Sequence, residues 1–133
     1  MNSLRAYFWP VALAAIVFVA SSRPRVASPD VSNFDKAAHF GVFGLLGTLV
    51  CRLRPGWSGA VIGLVAASGF GATDEWHQGF VPGREPGVDD WIADTLGAAL
   101  AVSLYAGWSW YRRLLETPIW PRQRARTDDD TRR

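Results

Sequence analysis

A chain of 133 residues has room for one domain, and a composition of 49% hydrophobic and 20% charged residues, with seven Trp and thirteen Gly, is a poor fit to a soluble domain of that size. The net charge of +2 conceals a segregation, because long stretches carry almost no charge and the ionisable residues fill the gaps between them. The single Cys51 excludes an intrachain disulfide framework and any C-x-x-C metal pattern, and in its apolar run it reads as a small buried hydrophobe.

Four apolar segments follow in chain order: Leu4 to Ser22, Ala37 to Leu53, Trp57 to Thr73, and Trp91 to Tyr111. Each reaches the lower end of the roughly 17–25 helical residues that a hydrocarbon core of about 30 Å requires, and none has a polar face. They predict an all-α membrane protein, a bundle of four transmembrane helices filling residues 1–115. The first segment has a rival reading as a cleaved signal peptide, with Arg5 before an apolar run and Ala20-Ser21-Ser22 as the cleavage point. Its Pro10 is tolerated in a membrane helix. In the second segment Gly41, Gly44 and Gly47 read as packing positions, since no strand precedes them as it would a phosphate loop. Gly59, Gly63, Ala67 and Gly71 recur every four residues in the third, and Ala93, Gly97 and Ala101 do so in the fourth. Such stripes predict that segments three and four approach closely over small side chains. From Glu116 onward Pro118 and Pro121 stop a helix and the composition is mixed charge, so residues 116–133 read as a disordered polar tail.

Orientation follows from lysine and arginine. With four spans, ten basic residues share the side of the termini: Arg5, Arg52, Arg54, Arg112, Arg113 and the five arginines of the tail. The other side holds only Arg23, Arg25, Lys36 and Arg84. The imbalance predicts a multi-pass plasma-membrane protein with both termini cytoplasmic.

Three polar clusters then fall on the outer side. They are Asp35-Lys36-Ala37-Ala38-His39, Asp74-Glu75-Trp76-His77-Gln78, and the stretch from Pro82-Gly83-Arg84 through Asp89, Asp90 and Asp94. Asp35 and His39 are one helical turn apart, as are Asp74 and Gln78, and Asp90 and Asp94. Asp94 lies about a turn inside its span, where an unpaired charge is costly, so it is expected to be protonated or paired with Lys36, Arg84 or a histidine. Asp89 or Asp90 is expected to cap the fourth helix. Pro82-Gly83 and Pro86-Gly87 read as turns.

DKAAH at 35–39, DEWHQGFVPGR at 74–84 and DDWIADTLGA at 89–98 resemble the VanZ-like family of integral membrane proteins, over roughly residues 35–110. Family members usually have Asn where this chain has Asp94. The resemblance implies a membrane protein near cell-envelope chemistry, related to glycopeptide antibiotic resistance, without a settled mechanism.

Two classes of function fit these residues. In the first, the cluster acts on or binds an anionic lipid or glycan headgroup. Lys36 and Arg84 hold the anion together with Gln78, Asp90 and Asp94. His39 and His77 move protons, helped by Asp35, Asp74 and Glu75. In the second, the same groups are a hydrogen-bonded lock on the helix ends. A proton relay for transport is a weaker third, since only Asp94 lies within a span. The histidines and acids are metal-ligand types, but their spacing matches no standard signature, so neither a metal nor another cofactor is assigned. Nucleic-acid binding has no support, and the partners expected are membrane lipids.

Overall fold

The computed structural model describes residues 3–24, 32–54 and 56–117, without the side chains of residues 3–5 and 32–35. The described residues form helices joined by turns and short irregular links, with no strand among them. The helices are α1 (Ser3–Ser21), α2 (Ser32–Cys51), α3 (Gly56–Gln78), α4 (Val88–Gly107) and α5 (Ser109–Glu116). The fourth apolar segment is therefore not one helix reaching Tyr111, and the count is five. Gly107, a poor helix former, ends α4, and Trp108 is extended at φ −113° and ψ 96° before the chain turns into α5. Of the predicted tail, residues 116–133, Glu116 ends α5 and Thr117 caps it, and the part from Pro118 lies outside the described residues.

Two turns depend on left-handed backbone that glycine adopts without a Cβ penalty. Gly56 opens α3 at φ 73°. Val81–Arg84 closes through the Arg84 N–H on the Val81 carbonyl at 3.1 Å. Pro82 and Gly83 (φ 77°) form its centre, a type II arrangement that swings Arg84 back toward α1.

α2, α3 and α4 form the heart of the bundle, with the contact between α2 and α4 the most extensive, and α1 lies along α2 and α3. The small-residue stripes explain the approach, although with a different partner from the one expected. A Cβ on Gly97 would strike the backbone of Phe40 in α2, and one on Gly44 would lie 3.1 Å from the Gly97 carbonyl oxygen. Gly97 thus serves the α2–α4 contact more than the α3–α4 contact. Gly63 of α3 faces the backbone of Gly47 and Cys51, and Gly41 faces open space. Two apolar clusters fill the remainder, one around Phe43, Leu46, Ala67 and Ala98 and the other around Cys51, Ala60, Val102 and Tyr105.

Beside these apolar clusters the bundle also buries acids, while large apolar side chains stand on its outside. Asp74, Glu75, Gln78 and Asp94 are buried, whereas Trp9, Val11, Ile16, Val61, Val65, Leu96 and Leu100 are 51–65% exposed. Among the described residues no helix is both long and apolar enough to cross a membrane. Glycine, serine and end-of-helix charges occupy positions that a more apolar span would give to leucine or valine.

Candidate functional site

The end of α1, the start of α2, the end of α3 and the start of α4 meet at one pole of the bundle. The chain runs α2 away from this pole, α3 back to it and α4 away again, so residues distant in sequence share it. Two groups of contacts can be separated there.

The first group ties α1 to α3. The Ser21 hydroxyl donates to Asp74 Oδ1 at 2.5 Å, and Gln78 Nε2 donates to Asp74 Oδ2 at 3.0 Å, so both oxygens of this buried carboxylate are engaged. The Ser22 hydroxyl gives its one proton to the Phe18 carbonyl at 2.6 Å. Its 3.0 Å contact with His77 Nε2 is therefore made with the imidazole as donor. Phe18 also stacks on His77, with centroids 4.6 Å apart. Arg84 donates from Nε to the Arg23 carbonyl at 3.4 Å and from Nη2 to the Ala20 carbonyl at 3.3 Å, taking up carbonyls at the end of α1.

The second group lies between α2, α3 and α4. His39 Nδ1 donates to Asp94 Oδ1 at 3.0 Å, so a histidine is the partner of this aspartate, one of the alternatives expected for it. Glu75 Oε2 accepts the Gly87 N–H at 2.8 Å. The remaining oxygens, Glu75 Oε1 and Asp94 Oδ2, are buried and have no hydrogen-bond partner among the described residues. One ligating atom from each of His39, Glu75 and Asp94 lies within 4.8 Å of the others. Asp94 fits here because Gly71 leaves room: a Cβ on that glycine would be 2.8 Å from Asp94 Oδ2.

Other candidates sit at the rim. Lys36 Nζ pairs with Asp89 Oδ2 at 2.5 Å, bridging α2 to α4 in solvent. Each raises the other's preference for its charged form: Asp89 holds the ammonium above its usual range, and Lys36 holds the carboxyl below its own. Asp90 is half-buried beside Gly87. Neither aspartate caps α4, whose N-cap is Gly87 without a side-chain bond, and both lie in the first helical turn, where the helix dipole favours them. Asp35 belongs to the first turn of α2, and its side chain lies outside the described ones. Ser21 and Ser22, which the sequence reading treated only as a cleavage point, supply the α1 side of the network.

Two cavities flank the end of α3. One of about 200 Å³ is lined by His39, Gln78, Arg84, Asp74 and Ser21 together with apolar residues of α1 and α2. The other, about 480 Å³, is lined by Trp76, Phe80, Trp91, Pro86 and Glu75.

The description VanZ/LLP1 matches residues 6–111, which takes in α1, the three clusters and the start of α5. The chain belongs to the VanZ/LLP1 family. As a VanZ-family protein it has its family match beginning inside α1, the helix that Ser21 and Ser22 bind to α3. No match was found among proteins of curated function or among solved structures.

Proposed function

We propose that this VanZ-family protein is a membrane-embedded helical bundle whose polar pole binds an anionic lipid or glycan headgroup of the cell envelope. The observation that carries the reading is the cavity of about 200 Å³ in which the Arg84 guanidinium, His39 and Gln78 meet. Arg84 spends two N–H groups on α1 carbonyls, and the rest of its planar fork is suited to phosphate oxygens. Asp74 lines the same cavity, but both of its oxygens are already hydrogen-bonded, so it opposes an anion less than a bare carboxylate does.

The membrane part of the proposal is supported by the many large apolar side chains exposed on α1, α3 and α4, which belong against lipid or protein. Helices of 19 to 23 residues extend about 28–35 Å, the thickness of a hydrocarbon core. Arg52, Arg54, Arg112 and Arg113 gather at the pole opposite the cavity, so we assign that pole and both termini to the cytoplasm and the cavity to the outer face.

A second reading, an accessory protein whose polar pole only locks helices, is favoured by the hydrogen bonds that Ser21, Ser22, Ala20 and Arg23 make to α3 and Arg84. Mass spectrometry of lipids that co-purify with the wild type, Arg84→Lys and Arg84→Ala separates the two. Depletion of one anionic species in Arg84→Ala, with partial retention in Arg84→Lys, supports headgroup binding. Unchanged lipid in a well-folded Arg84→Ala protein refutes it and leaves the lock.

A further inference from the structure

We infer that His39, Glu75 and Asp94 form a binding site for one divalent first-row transition cation, of the Zn²⁺ or Mn²⁺ class, at the junction of α2, α3 and α4. The inference stands apart from the headgroup reading, because it rests on two unpartnered oxygens and not on Arg84.

Three observations converge. Ligating atoms of the three residues lie within 4.8 Å of one another. Two ligands of a tetrahedral cation with bonds of about 2.1 Å are roughly 3.4 Å apart, so closure around an ion draws the side chains together by about 1.4 Å at most. Two of these ligands are more than nine-tenths buried, Glu75 at 7% and Asp94 at 0% exposure, and each keeps one oxygen with no hydrogen bond among the described residues. The Gly87 N–H already bonded to Glu75 Oε2 orients that ligand from outside the site, and the His39–Asp94 contact brings two of the ligands together.

Charge makes the argument stronger. Two carboxylates close together away from water repel each other and lose their hydration, and a protonated His39 compensates only one of them. A divalent cation neutralises both and supplies each free oxygen with a partner. One imidazole with two carboxylates is the donor set of borderline cations; Ca²⁺ and Mg²⁺ prefer all-oxygen shells. Three protein ligands leave coordination positions open. His39 lines one of the flanking cavities and Glu75 the other, so an ion here borders both.

The test uses the untagged full-length chain in detergent micelles, stripped with chelator and dialysed against Zn²⁺ or Mn²⁺. Elemental analysis should find one ion per chain, and the ion should raise the thermal midpoint. Glu75→Gln keeps the shape and offers an amide N–H toward the Asp94 oxygen, so it should fold at least as well as the stripped wild type while binding the ion at least tenfold more weakly. Asp94→Asn should bind weakly too, and Arg84→Ala and Asp89→Asn should bind as the wild type does. Retention of no ion by the wild type overturns the site, as does wild-type affinity in a folded Glu75→Gln protein. Normal ion binding in an Arg84→Ala variant that has lost its lipid shows that the two proposals stand separately.

Discussion

Replacing Gly97 by alanine tests the idea that close backbone approach between α2 and α4 holds the pole together. An ideal Cβ at this position meets three atoms of Phe40, and all three are backbone: the carbonyl oxygen, the carbonyl carbon at 2.8 Å and Cα at 2.9 Å. Carbon atoms at rest stay about 3.5–4.0 Å apart, so the helices must part by roughly an ångström, and no side-chain rotation relieves the contact. Overpacking of this kind costs about 1–3 kcal/mol. The control is Gly41→Ala in α2, where nothing lies within 4 Å of the new methyl. Both substitutions gain the ~0.5–1 kcal/mol that alanine gives a helix over glycine, so their difference isolates the steric part at about 1–3 kcal/mol. Unfolding in mixed micelles, followed by circular dichroism over an SDS titration, measures it. Gly97→Ala should also weaken the 3.0 Å His39–Asp94 bond, since Phe40 follows His39 and Gly97 lies one turn beyond Asp94. Equal stability of the two variants, within about 0.5 kcal/mol, would refute the reasoning.

Two further predictions concern the ties around the pole. Ser21→Ala removes the 2.5 Å donor from Asp74, which is 3% exposed, and should cost about 1.5–3 kcal/mol in the same assay, with no loss of bound cation. The Lys36–Asp89 pair has a definite pH signature. Asp89, with its carboxyl held down, contributes above the usual aspartate value near ~3.9 and stops as pH falls through the lowered value. Lys36, held up, contributes below ~10.4 and stops as pH rises through the raised value. The gap in thermal midpoint between wild type and Asp89→Asn should therefore be flat from about pH 5 to 9 and close in acid. A gap that changes within that window contradicts the pairing.

How far the sequence could be read depended on whether a signal was local. The turn-spaced pair Asp74 and Gln78 was legible, and the two side chains do bond at 3.0 Å. The close-packing stripes were legible as stripes, but a row of small residues announces that something approaches without saying what; Gly97 met Phe40 of α2, beyond the neighbour in sequence order. The break at Trp108 was hidden because aromatic residues continue through it to Tyr111. Ser21 and Ser22 were hidden for another reason. A serine's role depends on its partner, and theirs lie 53 and 55 residues away.

The division within the polar pole bears on what it is for. Three of the packed helix pairs already have a polar tie that needs neither Glu75 nor a second oxygen on Asp94. Ser21 joins α1 to α3, Lys36–Asp89 joins α2 to α4, and Ser68 with Thr95 and Trp91 joins α3 to α4. Burying further carboxylates adds desolvation cost, and well-packed apolar residues of similar volume commonly do as well or better for stability. Locking the helices thus accounts for Asp74 and His77, whose bonds run to Ser21, Ser22 and Gln78. It does not account for two adjacent buried carboxylates that each keep an oxygen unbonded among the described residues. On the cation-site proposal, the two oxygens left over from these bonds are held for the ion they bind, between His39, Glu75 and Asp94.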